Sequence, residues 1–182
     1  DEDIRRPDHL VEDGDVIAVG DREVRVHYFG PNHGRSNIAL EFATGEGQLL
    51  AFVDTLEVGI VPYRTLPDTN VHGYIESLRA AAQLGVDRVL GGHSGPGPAI
   101  WIDHYLSYFV DMESALRRAL ATVPEPPAES VEDVIAQGER YTDALIAAAV
   151  DQLRPAYGHW QGFEAWAPLN AQTVYMYIIT GN

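Results

Sequence analysis

Up to residue 54 the chain is written in runs of strand length. Residues 15–19 and 23–29 are apolar runs separated by Gly20-Asp21-Arg22, a short hairpin signal. Val24, Val26 and Tyr28 alternate with Arg25 and His27, the two-residue period of a strand with one buried face. A Gly/Pro/Asn loop over 31–36 follows, and Ile38, Leu40 and Phe42 alternate again. Thr44-Gly45-Glu46-Gly47 reads as a turn, and 49–54 as a more continuously apolar strand. Short connections between such runs predict a mainly antiparallel sheet.

The period then changes. Residues 55–69 form a long loop with two prolines and Tyr63, and loops of this length often border sites. Val71, Tyr74, Ile75, Leu78, Ala81 and Ala82 recur at helical spacing, with Asn70 or Thr69 placed to cap and Gly85 to terminate. Residues 86–90 are again a strand, so this helix and strand make an α/β unit. After Pro98, Ile102, Tyr105, Leu106, Phe109, Leu116 and Leu120 mark a long helix, broken at Pro124-Glu125-Pro126-Pro127. Ser130-Val131-Glu132-Asp133 resembles a capping box. The next helix carries Val131, Val134, Ile135, Tyr141, Leu145, Ala149 and Leu153 and is expected to end near Pro155. The aromatic tail, 157–182, is expected to pack on the body. The fold class is α/β (α+β): residues 1–97 form one unit, and 98–182 form a helical extension packed on the same domain.

Charge and composition narrow the partners. Formal net charge is −15, against the clustered Lys and Arg of nucleic-acid binders, so no nucleic-acid partner is expected. No apolar run reaches membrane-spanning length, so no membrane partner is expected; the reading is a soluble protein whose compartment, cytoplasmic or periplasmic, the sequence leaves open. Cysteine is absent, which removes disulfides and thiolate ligands. The charged start, without a Met, carries no signal peptide and implies that something preceded it or was removed.

The chemistry gathers at strand ends, where α/β folds build their sites. His33 follows the run 23–29, Asp54 closes 49–54, and His93 follows 86–90 in Gly91-Gly92-His93-Ser94-Gly95-Pro96. Singly, each has an ordinary explanation: a hydrogen-bonding loop histidine, a turn aspartate. Together, two imidazoles and a carboxylate are a metal-ligand set, and a carboxylate can bridge two ions. Ser94 lacks the Gly-x-Ser-x-Gly setting of a nucleophile, since Pro96 takes the last position. The Gly-rich loop lacks the Lys-Ser/Thr of a phosphate loop. Tyr63 and His72 flank the long loop and are candidate substrate contacts.

On these residues the chain resembles the metallo-β-lactamase fold superfamily. Gly30-Pro31-Asn32-His33-Gly34 looks like its Gly-x-x-His loop, Phe52-Val53-Asp54-Thr55 like its strand ending in Gly-Asp, with Val53 for the common Gly, and Gly91-Gly92-His93-Ser94-Gly95 like its Pro-Gly-His-Gly loop. The resemblance covers roughly residues 10–100. It implies half of an αββα sandwich, with His33 in one metal site, His93 in the other and Asp54 bridging them. It implies two zinc ions in a complete domain, with iron or manganese as alternatives. It implies a hydrolase in which a metal-bound hydroxide attacks an ester, thioester, lactone or amide carbonyl of a small-molecule substrate.

The family's His-x-His-x-Asp-His motif is absent here, which leaves each ion short of the three protein ligands that a catalytic zinc takes. The expectation is therefore a partner: a missing N-terminal half, a second chain, or self-association as a homo-oligomer that covers an otherwise bare sheet face. As this chain alone it is not expected to be active. The alternative reading is a non-catalytic binding or self-assembling module with a degraded metal site.

Overall fold

The computed structural model describes residues 6–66, 70–125, 127 and 131–181, with only the helical backbone taken at 131–133. Strands β1 (Val16–Val19) and β2 (Arg22–His27) form a hairpin whose turn uses Gly20 at φ 67°. Strands β3 (Ala39–Thr44) and β4 (Gly47–Ala51) form the next one. Helix α1 (Val71–Ala82) carries the chain to β5 (Arg88–Leu90), which lies parallel to β4, and β6 (Gly97–Pro98) closes the row antiparallel. The sheet order is β1-β2-β3-β4-β5-β6, antiparallel except for the β4–β5 pair, where α1 makes the crossover. Helices α2 (Ile100–Thr122), α3 (Val131–Tyr157) and α4 (Phe163–Thr180) follow.

Residues paired across strands share a face, so the register sorts the sheet into two sides. Ala39, Leu50 and Val89 lie on the side that packs with Leu78 of α1, Tyr105, Phe109 and Met112 of α2, and Ala167 and Ala171 of α4 in one core, all essentially unexposed. On the other side Val26 and Leu49 are buried while Val24, Leu40, Phe42, Ala51 and Leu90 are only half-buried, and all seven lie outside that core. The sheet is thus finished on one face and apolar but less covered on the other.

Most elements fall where the pattern puts them, with ends moved by a few residues. Strand β4 stops at Ala51, so Asp54 stands in the turn beyond it. Asn70 is the cap of α1: its Oδ1 accepts the Gly73 N–H at 2.8 Å. Thr69 and Ser130, the other proposed caps, lie outside the described residues. Helix α3 runs past Pro155 to Tyr157. Most of the aromatic tail is a helix, α4, entered at Gly162 with φ 81°. Its face does not show in the pattern because both sides are apolar, and a helix apolar all round carries no helical signature. Among the described residues no helix is long and apolar enough to cross a membrane.

Helix α4 also anchors the long loop after Asp54. Asn170, fully buried, donates through Nδ2 to the Pro62 carbonyl at 3.0 Å and accepts the Tyr108 hydroxyl at 2.8 Å. The Val61 N–H donates to Gln161 O, and the Gln161 N–H to Gly59 O, at 3.1 and 2.8 Å. These bonds hold residues 59–62 against the α3–α4 corner and fix the position of Tyr63, whose ring meets Trp166 edge-on at 5.0 Å.

Candidate metal centre

Three loops at one end of the sheet converge on Asp54. Its Oδ1 lies 2.8 Å from His93 Nε2, and its Oδ2 lies 3.8 Å from His33 Nε2. The residues singled out in the sequence from three separate strand ends therefore meet in space. Asp54 adopts φ 61°, the left-handed region that Asp tolerates better than most residues. Its backbone is fastened there from both sides. The Tyr74 hydroxyl donates to the Asp54 and Thr55 carbonyls at 3.3 and 2.6 Å, and Asn37 Nδ2 donates to Val53 O at 3.1 Å.

The His33 loop is held by Asn32. The buried Asn32 Oδ1 accepts from the His33 N–H at 2.6 Å, from Asn37 Nδ2 at 3.1 Å and from Thr55 Oγ at 3.3 Å. Its Nδ2 donates to Gly30 O and to Ser77 Oγ on α1. The His93 loop is held by Glu57: its Oε1 accepts the N–H groups of Gly92 and His93, each at 2.9 Å. Ser94 is a loop residue, its Oγ accepting the Val58 N–H at 2.9 Å.

Two clefts open from this point. The smaller, about 250 Å³, is lined by His33, Asp54, Glu57, Tyr63, Tyr74 and His93 among others. The larger, about 500 Å³, shares Glu57, Tyr63 and His93 and continues between Ile60, Val61, Gln161 and Trp166. Tyr63 thus lines both. His72 is exposed at the start of α1 and is not among the residues lining either cleft. Tyr74 and Tyr105 in the smaller cleft are pushed well above the ordinary phenol range, chiefly by burial. For Tyr74 the Glu57 and Asp54 carboxylates add to this; for Tyr105 the Tyr74 phenol is next in weight, then Glu57. Both are neutral hydroxyl donors at working pH.

A metal fits this donor set. Asp54, Glu57 and His93 each offer a ligand atom, and these atoms lie within 4.8 Å of one another. Two ligands on one ion stand at most about 4.2 Å apart, twice a bond of about 2.1 Å, so closure needs shifts of roughly half an ångström. Glu57 was not among the residues read from the sequence. The available signal was a carboxylate in the apolar run Leu56-Glu57-Val58, just past Asp54. Asn32 carried no signal beyond its place in a turn-forming loop.

A curated acyl-coenzyme A thioesterase of Gallus gallus, MBLAC2, is 35% identical over 92 residues, 48% of this chain and 32% of that protein. The chain spans about a third of the length of the curated relative it matches. Among solved structures, the stereoselective inverting sec-alkylsulfatase Pisa1 from Pseudomonas sp. superposes with a TM-score of 0.52 at 15% identity, over 94% of this chain and 26% of that one. Metallo-β-lactamase superfamily proteins are among the solved structures that align with the chain. A metallo-β-lactamase family protein from Thermus thermophilus aligns with 80% of this chain and 48% of its own, at 22% identity and a TM-score of 0.49. At 15% identity the likeness to the sec-alkylsulfatase is one of fold, not of activity. No family model matches the chain.

Proposed function

We propose that the chain supplies one side of the active centre of a metal-dependent hydrolase that cleaves the ester or thioester carbonyl of a small molecule with an apolar acyl group. The observation that carries this reading is the convergence of His33 and His93 on Asp54 at the mouth of an apolar cleft. A bound divalent cation supplies Lewis acidity toward the carbonyl and lowers the pKa of water, chemistry that neutral imidazoles and a carboxylate are suited to hold. The chain's own residues do the rest. Asp54 lies between the two histidines and orients His93 through its 2.8 Å contact. Tyr74 and Asn37 keep Asp54 in its unusual backbone conformation. Tyr63, Ile60, Val61 and Trp166 line a cleft that excludes water from an acyl chain, and the curated relative, by its name, acts on acyl thioesters. Zinc, iron and manganese all suit the donors.

The less covered sheet face, with Leu40, Phe42 and Leu90, is the surface on which a second layer would complete the centre, from an accompanying segment or another copy of the chain.

The test is hydrolysis of p-nitrophenyl esters and acyl thioesters of graded chain length, with zinc, manganese or iron added. It is run on this chain and on any longer natural polypeptide containing it. Metal-dependent turnover that Asp54→Asn abolishes, and that rises with acyl length until the cleft is filled, is the expected result. Turnover indifferent to Asp54→Asn, or none in any of these preparations with metal bound, overturns the reading.

A further inference from the structure

The feature that the histidine–aspartate arrangement leaves unexplained is the second oxygen of Glu57. The residue is 7% exposed, and its Oε2 is buried with no hydrogen-bond partner among the described residues. Holding the His93 loop takes only Oε1, which accepts both loop N–H groups. A glutamine would do that work without the desolvation cost of a carboxylate. The loop has also been fitted closely around this side chain. A Cβ added at Gly91 would collide with Glu57 Oε2 and with the Leu56 carbonyl, so only glycine lets the carboxylate sit where it does. A buried carboxylate with one oxygen left without a donor, on a residue that offers a ligand atom within 4.8 Å of those of Asp54 and His93, is the condition that a cation relieves.

We propose that Glu57 is itself a ligand of the cation, so that Asp54, Glu57 and His93 make a three-donor, oxygen-rich site within this chain. The proposal rests on the metal-centre reading above and goes beyond the ligands that the resemblance implies, none of which is a glutamate at this position. Two carboxylates and one imidazole shift the preference toward harder divalent ions, with Mn²⁺ the natural probe. The side chain of His93 is 73% exposed and can swing the short distance that closure asks.

The experiment titrates Mn²⁺ into the metal-free 182-residue chain and reads free ion by electron paramagnetic resonance. Bound Co²⁺ is followed in parallel by its visible bands. Glu57→Gln is expected to weaken Mn²⁺ binding about tenfold or more and to alter the Co²⁺ bands, with the fold intact by circular dichroism. Unchanged affinity and unchanged bands in Glu57→Gln mean that Glu57 only holds the loop, and overturn the proposal. Asp54→Asn separates the two levels of the argument. If it loses binding while Glu57→Gln keeps it, the metal centre stands and the Glu57 assignment falls. If the wild-type chain binds neither Mn²⁺ nor Co²⁺, both fall. Should the Glu57→Gln chain not fold, the Glu57 carboxyl carbon is followed by NMR in the labelled wild-type chain as Zn²⁺ is added. A shift supports ligation, and an unmoved signal overturns it.

Discussion

Asn32 and Glu57 are both withdrawn from solvent, at 1% and 7% exposure, and each fastens a histidine-bearing loop to the rest of the centre. Asn32 uses everything it has. Its oxygen takes three hydrogen bonds and its amide gives two, reaching the His33 loop, the turn after Asp54 and helix α1. Glu57 uses one oxygen for two backbone N–H groups and leaves the other buried and bare. A buried polar group whose bonds are all met within the fold acts as a staple, and its value is stability and geometry. A buried charged group left half-met is costly unless something outside the fold completes it. The two loops look alike in the sequence, a histidine among glycines. The difference lies in what holds them, and it separates a structural residue from one that we assign to chemistry.

The sharpest way to break the comparison is to remove the staple. Asn32→Ala strands the His33 N–H and the Thr55 hydroxyl proton, and takes one partner each from Asn37 Nδ2 and Ser77 Oγ, which keep Val53 O and Phe29 O. At roughly 1–3 kcal/mol for each buried group left unpaired, partly recovered by water, the expected loss is about 3 kcal/mol or more in urea unfolding. A loss below about 1 kcal/mol would show that these groups rehydrate freely and that Asn32 is no staple.

Metal is the next lever, and it acts on the other loop. At a hundredfold excess over its dissociation constant, a cation that binds only the folded chain adds about 2.7 kcal/mol to stability. Thermal unfolding with Mn²⁺, reversed by chelator, measures this. The increment is expected to shrink in Glu57→Gln and to survive in variants of residues remote from Asp54. Equal increments in wild type and Glu57→Gln would erase the distinction between the two side chains.

Two glycines sharpen the contrast further. A Cβ at Gly73 would run into the Pro31 carbonyl, beside Asn32, while one at Gly91 would meet Glu57 and the Leu56 carbonyl. Each alanine forces a shift of backbone, with an expected cost of about 1–3 kcal/mol. The functional readouts should differ. Gly91→Ala displaces the Glu57 carboxylate and weakens Mn²⁺ binding beyond its stability cost. Gly73→Ala presses on the Asn32 loop and leaves binding by Asp54, Glu57 and His93 largely intact. Calorimetric titration of both variants decides it; parallel losses would mean that the loops move as one body.

How much of this was legible in the sequence follows from what each signal depends on. Alternation at Val24, Val26 and Leu40, Phe42 is local, so the hairpins could be read directly. The helical spacing of Val71, Tyr74 and Leu78 is local too. His33, Asp54 and His93 were legible because each follows an apolar run, and strand ends in α/β folds converge. Helix α4 was not legible as a helix, because Trp166, Val174 and Tyr175 lie in a segment apolar on all sides, where no period stands out. Glu57 and Asn32 were not legible because their meaning is a matter of partners. Whether a buried oxygen has a donor is decided by residues 35 and 36 positions away for Glu57 and up to 23 for Asn32, and no local pattern records that.

The smallest expected effect concerns the tyrosines beneath the centre. Tyr74 and Tyr105 are pushed well above the ordinary phenol range, and Tyr108 and Tyr157 are raised as well, burial being the first cause in all four. The sign follows from linkage. A group whose folded pKa exceeds its unfolded value of about 10 contributes stability that is fully present below pH 10 and is lost as pH rises through the folded value. The fold should therefore be insensitive to these groups at neutral pH and weaken progressively in the alkaline range. In a rapid jump to high pH, absorbance of tyrosinate should rise at once by less than the chain's 9 tyrosines would give, and the remainder should appear only at the rate of unfolding. If all of them ionise within the dead time while the far-ultraviolet signal is unchanged, water reaches the Tyr74 hydroxyl in the folded state. The floor under Asp54 would then be open, and Tyr74 could not be what keeps that backbone in its left-handed turn.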